Sequence, residues 1–386
     1  MRYIDDVDIH NKKVILRCDF NVPMENGVIE NDVRLKKAIK TINYLLLQGC
    51  SIILMSHLGR IKTLEDMKKN SLKPVSKRLS ELLNKEIIFL KNPVGDDVLE
   101  NAGSLKSGEL LLLENTRFCD CPQNCESNND LQLAKYWASL GDIFVIDAFA
   151  SMHRVHASMA GISSYLPTYY GLLVKEEITN LDYLINDVKH PFTVFMGASK
   201  IDDKLKYMKV ILDRCDLLLL GGGVANSFLY VLGKDIGESI RTHDANTLEQ
   251  LQEMLKVYKE KIILPTDFMI INNQICDIGM KTIDRYQDYY KKSNTIFMNG
   301  TPGQFERNED ASGTKALFES LRSLNAIKVA GGGATLNAIS KFNYENAFTY
   351  LSSGGGASLE YISSGKLAAM DYIENISENL VRKRIM

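Results

Sequence analysis

Several arginines and histidines follow short apolar runs in the first half of this 386-residue chain. They lie in four segments, which read RCDFN at 17–21, HLGR at 57–60, NTR at 115–117 and HRVH at 153–156. An arginine binds phosphate or carboxylate oxygens through two parallel N–H donors, and a histidine can add another donor. Arg34, in the first turn of a predicted helix, adds a further guanidinium. This collection indicates a site for a small anionic molecule.

The charge balance of this half means that any positive site must come from clustering. Residues 1–170 carry as many Lys and Arg as Asp and Glu. The alternative interpretation is that each arginine pairs with a neighbouring carboxylate at the surface, where ion pairs are common and contribute little. Because that explanation fits one arginine better than a set at corresponding positions, we favour the anion site.

Glycine dominates the corresponding positions in the second half. The segments are GASK at 197–200, GGG at 221–223, NG at 299–300, GGG at 331–333 and GGG at 354–356. Glycine lacks the Cβ atom that blocks close backbone approach, and its N–H groups can surround an anion at a helix start. Three triplets favour a nucleotide, although tight turns also use glycine for structural reasons. Lys200 and Lys204 would both face one phosphate chain if they lie on one helical turn.

Two familiar nucleotide motifs are absent from the sequence. It contains no GxxxxGK motif followed by Ser or Thr, and no GxGxxG followed by an acidic residue at ribose distance. The sequence therefore does not support a P-loop nucleotidase or a dinucleotide-dependent dehydrogenase.

Nine continuous apolar runs alternate with these polar and glycine-rich segments and predict buried strands. They are residues 14–16, 52–55, 110–113, 144–146, 193–196, 217–220, 262–264, 296–298 and 327–329. Helical periodicity lies between them, most clearly from Asp32, the predicted N-cap, to Gln48, with Gly49 ending the helix. The alternation predicts an α/β fold with parallel sheets, in which ligands bind beyond the carboxyl ends of the strands.

The length of the chain predicts two domains. We expect an N-terminal domain at 1–171, an interdomain helix at 172–185 and a C-terminal domain at 186–370, with the tail 371–386 packing on the first. The net charge of −2 gives no reason to expect nucleic acid or an anionic membrane. Seven scattered cysteines, the lack of a signal peptide and the lack of a membrane-length apolar run predict a cytoplasmic protein.

A group of three cysteines follows the third basic segment. Cys119, Cys121 and Cys125 form a C-x-C-x3-C pattern that resembles part of a metal site. Structural zinc requires four ligands, usually in pairs, and no second pair follows. We therefore interpret this segment as a loop with free thiols.

Nine motifs in this chain resemble those of the phosphoglycerate kinase family, and they occur in the family's order. They read RCDFNVP at 17–23, SHLGR at 56–60, LLLENTRF at 111–118, DAFASMHRVHAS at 147–158, GGGVANSFL at 221–229, LPTDF at 264–268, DIGMKT at 277–282, NGTPGQFE at 299–306 and SSGGGASLE at 352–360. The resemblance implies two Rossmann-like three-layer α/β/α domains with mostly parallel sheets, joined by a hinge helix. It also implies a cytoplasmic, monomeric enzyme that closes about its hinge and converts ATP and 3-phosphoglycerate, with Mg²⁺, into ADP and 1,3-bisphosphoglycerate.

The resemblance also implies roles for individual residues. On the glycerate side, Asp19 and Asn21 would contact the carboxylate or hydroxyl, and Arg34 would reach the transferring phosphoryl group. His57, Arg60, Arg117 and Arg154 would hold the substrate phosphate. On the nucleotide side, Lys200 would follow the transferring group, Lys204 would bind the nucleotide phosphates and Glu306 the ribose. The remaining nucleotide-side positions are Gly221, Asn299, Gly332, Gly333, Ala334 and Thr335. Arg34 and Lys200 would be the catalytic pair.

Four positions depart from the family pattern. Ala334 stands where the family has the aspartate that coordinates nucleotide-bound Mg²⁺, so one hard oxygen ligand is lost. Met298 and Thr301 replace the first and last residues of the family's WNGP, and Ile146 replaces the asparagine of its NDAF. The cysteine loop replaces an acidic segment that contains histidine.

These departures leave two interpretations. In the first, the chain is an active phosphoglycerate kinase in which phosphates, water and a substitute carboxylate hold Mg²⁺. In the second, it is a catalytically impaired homologue that acts as a ligand-binding or regulatory protein. Intact Arg34 and Lys200 favour the first, and Ala334 favours the second.

Overall fold

The structure is a computed structural model that describes residues 1–307 and 311–385. The chain divides into two compact units. The first comprises residues 1–179 together with the C-terminal segment from Lys366 on, and the second comprises residues 180–365. Met386, the last residue of the predicted tail 371–386, lies outside the described residues.

Strands and helices alternate along most of the chain. The strands are β1 Lys13–Cys18, β2 Met24–Glu25, β3 Val28–Ile29, β4 Ser51–Met55, β5 Ile87–Phe89, β6 Leu110–Leu112, β7 Ile143–Asp147, β8 Thr168–Tyr170, β9 Phe192–Ala198, β10 Leu217–Gly221, β11 Ile262–Ile263, β12 Phe268–Ile271, β13 Gln274–Ile278, β14 Thr295–Asn299, β15 Ile327–Gly331 and β16 Tyr350–Ser352. The helices are α1 Val33–Leu47, α2 Leu64–Lys69, α3 Lys73–Leu83, α4 Asp96–Ser104, α5 Leu131–Ala138, α6 Leu172–Asn186, α7 Asp202–Arg214, α8 Gly222–Val231, α9 Ala245–Val257, α10 Met280–Lys291, α11 Ser312–Leu321, α12 Gly333–Lys341, α13 Gly356–Ser364 and α14 Ala368–Ile385. Short 3₁₀ turns connect some of them.

The first unit contains a six-stranded parallel sheet in the order β5-β6-β4-β1-β7-β8. Strand β1 is central, because Val14 pairs with Ile52 of β4 on one side and with Ile143 of β7 on the other. The chain builds outward from β1 to β4 and later returns to add β7, so the strand order reverses beside β1. Residues that follow these strands therefore lie where open parallel sheets bind ligands.

The second unit repeats this plan around β9. Its sheet has the order β11-β10-β9-β14-β15-β16, and all pairs are parallel. Phe195 of β9 pairs with Leu219 of β10 and with Met298 of β14. The strand order reverses beside β9, so the glycine-rich segments that follow β9, β10, β14 and β15 lie at the ligand-binding edge. The predicted α/β fold with two parallel sheets is confirmed.

The predicted helix after Asp32 is present as α1. Its stripe of Leu35, Ile42 and Leu45 is buried in the core of the first unit. Asp32 is the N-cap by position, but its side chain makes no capping hydrogen bond and instead pairs with Lys36 and Arg78. The sequence pattern therefore located the helix correctly, but Asp32 pairs with Arg78 of α3 instead of capping the first turn of α1.

Three edge strands and two hairpins were not predicted. Strands β5, β8 and β16 have three residues each, and their side chains are only partly buried. The hairpins β2–β3 and β12–β13 lie outside the two large sheets. Thr168 and Ser352 leave β8 and β16 without a continuous apolar run, whereas β5 contains one, Ile87–Phe89, that was not assigned to a strand. None of the described helices is long and apolar enough to cross a membrane.

Candidate functional site

Asp19 and Arg34 form an ion pair just beyond the end of β1. Asp19 is buried, and its Oδ2 accepts a hydrogen bond from Arg34 Nη1, whose side chain is one-third exposed. Burial opposes ionisation of Asp19, but the charge and hydrogen bond of Arg34, together with His57 and the Asn21 N–H, lower the pKa of this carboxyl. The structure therefore brings together the predicted carboxylate and the predicted catalytic arginine, although they are 15 positions apart.

Asn21 connects this pair to the loop after β4. Its backbone N–H donates to Asp19 Oδ1 at 3.1 Å, and its side-chain Oδ1 accepts from the Gly59 N–H at 2.9 Å. A cavity of about 680 Å³ opens beside Asn21 and Gly59, bounded by residues 22–27 and 68–74. None of the predicted arginines lines this cavity, so it borders the basic group without being formed by it.

Arg117 lies on a 3₁₀ turn, Thr116–Asp120, that begins four positions after the end of β6. The Asn115 side chain caps this turn by accepting from the Arg117 N–H at 3.1 Å. The Arg117 guanidinium is mostly buried and donates to the Gly59 carbonyl at 2.6 Å. Burial lowers the pKa of Arg117, and the positive charge of Arg154 lowers it further. These two predicted phosphate ligands are therefore close enough to repel each other, which favours an anion near both.

Two histidines of the basic segments are held neutral. Burial lowers the pKa of His156 to about 3, and the charges of Arg117, Arg17 and Arg154 add to that effect. Burial and the charge of Arg17 lower the pKa of His57 well below its usual value. The positive potential of this region therefore comes from arginines, while the histidines supply neutral N–H groups.

Arg17 and Arg60 behave differently from the rest of the basic set. Arg17 lies within β1 and is completely buried, with hydrogen bonds to Ser158, Cys18 and His57, so it is part of the interior. Arg60 lies exposed after β4 and makes no hydrogen bond or ion pair with the residues that the structure describes. The sequence grouped both with the other arginines because both follow or end an apolar run.

The cysteine loop is organised by its acidic residues. Asp120 accepts from the N–H and hydroxyl of Ser127 at 2.8 and 2.6 Å. Glu126, completely buried, accepts from the N–H of Ser158 at 2.9 Å. All seven cysteines are free, and burial raises the pKa of the Cys119 thiol to about 12. The loop therefore contains no disulfide, and the roles of Glu126 and Ser158 were not predicted from the sequence.

In the second unit, the first glycine triplet serves close packing. A Cβ atom on Gly223 would lie 2.2 Å from the carbonyl oxygen of Ser199, and one on Gly221 would lie 2.8 Å from the Cα atom of Pro302. Gly300, whose φ is +103°, leaves no room for a Cβ atom beside Gly197. The loops after β9, β10 and β14 therefore contact each other through their backbones. These glycines serve packing, which was the alternative to nucleotide binding.

The turn after β15 is different, because it opens outward. Gly333 and Ala334 are exposed at the start of α12, and a Cβ atom on Gly333 would meet nothing within 4 Å. No side chain caps this helix, so its first N–H groups can bind an anion. Thr335 is buried, and its hydroxyl accepts from the Gly300 N–H at 2.6 Å and donates to the Gly331 carbonyl at 2.8 Å. Its hydroxyl thus shapes the turn.

The two predicted lysines do not share a helical turn. Lys200 is exposed in the segment before α7, which begins at Asp202, whereas Lys204 lies inside that helix. Lys204 Nζ donates to Oδ1 of Asn299, which is buried at the end of β14. Glu306 is exposed, and its carbonyl accepts from Lys341 Nζ of α12 at 2.5 Å. The four-residue spacing was not enough to place Lys200 and Lys204 on one helical turn, because the helix starts two positions after Lys200.

The described residues do not fit a protein-ligated metal. Ala334 presents a methyl group at the open turn, and no group of three His, Cys, Asp or Glu residues in the described part of the chain could hold an ion. A divalent cation at this edge would therefore depend on oxygen ligands brought by a bound phosphate chain and water.

Comparisons with known proteins are consistent with this arrangement. The family model described as phosphoglycerate kinase matches residues 4–366. The chain is 37% identical to phosphoglycerate kinases of Macrococcus caseolyticus and Staphylococcus aureus, over 97% of this chain and 99% of each relative. Its fold matches the solved structures of phosphoglycerate kinase from Coxiella burnetii (TM-score 0.82, 33% identity, 97% and 98% of the two chains) and Pyrococcus horikoshii (TM-score 0.87, 29% identity, 98% and 100%).

Proposed function

Since this chain belongs to the phosphoglycerate kinase family, we propose how its own residues carry out the reaction of that family. The reaction is the reversible transfer of a phosphoryl group between ATP and the carboxyl group of 3-phosphoglycerate, which gives ADP and 1,3-bisphosphoglycerate. Such a transfer requires alignment of donor and acceptor and neutralisation of charge on the transferred oxygens, rather than covalent chemistry by the protein.

The first unit is proposed to bind the glycerate substrate. Asp19 and Asn21 would contact its carboxylate or hydroxyl, and Arg34 would contact the transferring phosphoryl group. The basic group for the substrate phosphate is His57, Arg60, Arg117 and Arg154. The observation that carries this proposal is the ion pair of Asp19 with Arg34, because it orients a partly exposed guanidinium beside the switch point of the sheet.

The second unit is proposed to bind the nucleotide. The N–H groups of Gly333 and Ala334 at the uncapped start of α12 would bind its phosphates, while Gly332 and Thr335 shape that turn. Lys204 and Asn299 are already in contact at the same sheet edge, and exposed Lys200 would move with the transferred group. Gly221 supports the packing of the edge, and Glu306 would bind the ribose.

Mg²⁺ is proposed to accompany the nucleotide rather than to be held by the protein. When bound, it would neutralise charge on the phosphates, with water and phosphate oxygens as its ligands. From the family we also propose that the protein is monomeric and cytoplasmic and closes about α6 during the reaction.

The second interpretation, an impaired homologue with a ligand-binding or regulatory role, is not favoured. The family match extends over residues 4–366, and the Asp19–Arg34 pair is in place. Ala334 argues for impairment, but Mg²⁺ usually keeps several water and phosphate ligands, so the lack of one protein carboxylate need not prevent its binding with the nucleotide.

A coupled assay in both directions tests the function. With 3-phosphoglycerate, ATP and Mg²⁺, and in reverse with 1,3-bisphosphoglycerate and ADP, we expect turnover that depends on both substrates. Binding of 3-phosphoglycerate without turnover in either direction would instead support the impaired homologue.

A further inference from the structure

The buried guanidinium of Arg17 makes four hydrogen bonds inside the first unit, of which the longest runs from Nη1 to Ser56 Oγ at 3.5 Å. Nε donates to Ser158 Oγ at 3.0 Å, Nη1 donates to the Cys18 carbonyl, and Nη2 lies 3.1 Å from His57 Nδ1. Burying a charge is costly unless it is paired and hydrogen-bonded. The buried carboxylate of Glu126 interacts with this charge and also accepts from the Ser158 N–H, so Glu126 and Ser158 together stabilise the buried guanidinium.

The contact with His57 determines which imidazole nitrogen carries the proton. A guanidinium has five N–H donors and no acceptor, so His57 Nδ1 must accept in this contact. A neutral imidazole whose Nδ1 accepts carries its single proton on Nε2. A second proton on Nδ1 would place two donors 3.1 Å apart, which is unfavourable.

The electrostatic surroundings of His57 agree with this assignment. Arg17, Arg117 and His156 disfavour a positive imidazole, and Asp19 alone favours one. Burial is the largest influence, and together these effects lower the pKa of His57 well below its usual value. The imidazole therefore stays neutral across the physiological range.

We propose that Arg17 is a positioning residue that holds His57 in the neutral tautomer with its proton on Nε2, so that this N–H is presented to the phosphate of the glycerate substrate. This inference rests on the proposed role of His57 in phosphate binding. It adds a reason for the complete burial of Arg17. A donor fixed in this way works equally at all pH values where the imidazole is neutral, whereas an imidazolium would lose its charge on crossing neutrality.

Nuclear magnetic resonance of the full-length wild-type protein, labelled with ¹⁵N at histidine, tests the tautomer without any variant. His57 is assigned by the signal that disappears in His57→Gln. We expect the chemical shifts of an Nε2–H tautomer and no titration between about pH 5.5 and pH 8. An Nδ1–H tautomer, or titration near the usual histidine value, overturns the inference.

Kinetics of variants test the consequence for substrate. Arg17→Lys keeps the positive charge but loses the planar guanidinium with its several N–H donors. We expect this variant to raise KM for 3-phosphoglycerate by about tenfold, with KM for ATP unchanged. His57→Gln, whose amide N–H reaches roughly the position of Nε2, should raise KM for 3-phosphoglycerate less than His57→Ala, for which we expect an increase of about tenfold or more. Equal losses in His57→Gln and His57→Ala would contradict the positioned donor.

The outcomes separate this inference from the proposed function. If Arg17→Lys does not fold, the wild-type resonance measurement and the two His57 variants still decide the matter. Normal turnover by a wild-type protein whose His57 has the wrong tautomer removes the inference and leaves the function. Absence of turnover in wild type removes the function, while the tautomer still reports on Arg17.

Discussion

At the scale of single residues, burial decides what each ionisable group does in this protein. Arg34 is partly exposed and paired with Asp19, so its charge can meet a ligand, whereas Arg17 is completely buried and its donors are used within the protein. His156 shows the same principle, because burial among positive charges keeps it neutral. Residues of one chemical type thus take different roles according to their access to water.

The first prediction concerns Arg34. Arg34→Lys should lower kcat by about 100-fold, because an ammonium cannot replace two parallel donors on a transferring phosphoryl group, and KM for ATP should change little. Arg78→Lys is the matched control, since Arg78 pairs with Asp32 and Glu81 on the surface. Steady-state kinetics of both variants check this, and equal activity in the two would exclude Arg34 from catalysis.

A substitution at Ala334 is predicted to improve the use of ATP when Mg²⁺ is scarce. Ala334→Asp restores a hard oxygen ligand at the open turn and should lower KM for ATP by about tenfold when Mg²⁺ is limiting. Ala334→Asn is the matched control because it has nearly the same shape without the charge. If Asp and Asn variants show the same dependence on Mg²⁺ as wild type, the phosphate-and-water account of the metal is wrong.

His156 predicts how stability depends on pH. Its pKa of about 3 in the folded state lies below the unfolded value, so the unfolded chain binds the extra proton as pH falls. The free energy of unfolding should therefore fall from about pH 6.5 downward, and His156→Gln should remove of the order of 2 kcal/mol of that loss at about pH 4.5.

Urea unfolding at several pH values measures this difference. His10→Gln is the control, because His10 is an exposed histidine near the N-terminus. Parallel stability profiles for wild type and His156→Gln would show that His156 does not contribute to acid sensitivity.

At the scale of elements, the turns after the strands have two different designs. The turn at the start of α8 is closed by its neighbours, since Gly223 packs on the Ser199 carbonyl. The turn at the start of α12 is open at Gly333, and its helix is uncapped by any side chain. Glycine therefore supports packing in one turn and leaves room for a ligand in the other.

This contrast predicts opposite effects of the same substitution. Gly223→Ala should destabilise the protein by about 2 kcal/mol, because its Cβ atom would overlap a backbone oxygen that cannot easily move. Gly333→Ala meets open space and should leave stability unchanged or raise it by less than about 1 kcal/mol, since alanine favours helix. Denaturant unfolding without nucleotide compares them, and similar destabilisation by both would refute the distinction.

At the scale of the whole molecule, two units follow one plan from separate parts of the chain. Each has a parallel sheet whose order reverses beside its first strand, β1 or β9. The first unit also recruits the C-terminal helix α14, as Ala369 donates to the Met152 carbonyl at 2.9 Å and Tyr372 contacts Ser164 at 3.1 Å. The first unit is thus completed by the end of the chain.

Deletion of residues 366–386 should therefore destabilise the first unit more than the second. The deletion would remove the buried side chains of Leu367, Met370 and Ile373 and would expose the apolar surface of the first unit that they cover. Hydrogen exchange should show lost protection in residues 1–179 and retained protection in residues 180–365. Tyr372→Phe, which removes one hydroxyl, is the mild control, and equal loss in both units would contradict the assignment of α14.

The fold was largely readable from local pattern. A run such as Ile52–Met55 must be covered on both faces, which only a central strand of a covered sheet provides, and the stripe of α1 needs one buried side. The short strands β8 and β16 were not predicted because Thr168 and Ser352 interrupt their apolar residues, and the apolar run of β5 was not assigned to a strand.

The sequence by itself determined the two parallel sheets, the places where ligand-binding residues follow them and the family resemblance, because these depend on residue types over a few neighbouring positions. Only the tertiary structure decided that Arg17 faces Ser158, 141 positions away, that the Thr335 hydroxyl bonds to the Gly331 carbonyl and that Lys200 lies outside α7. Hydrogen-bond partners and access to water are properties of distant segments brought together, and a local pattern carries no information about which segments meet.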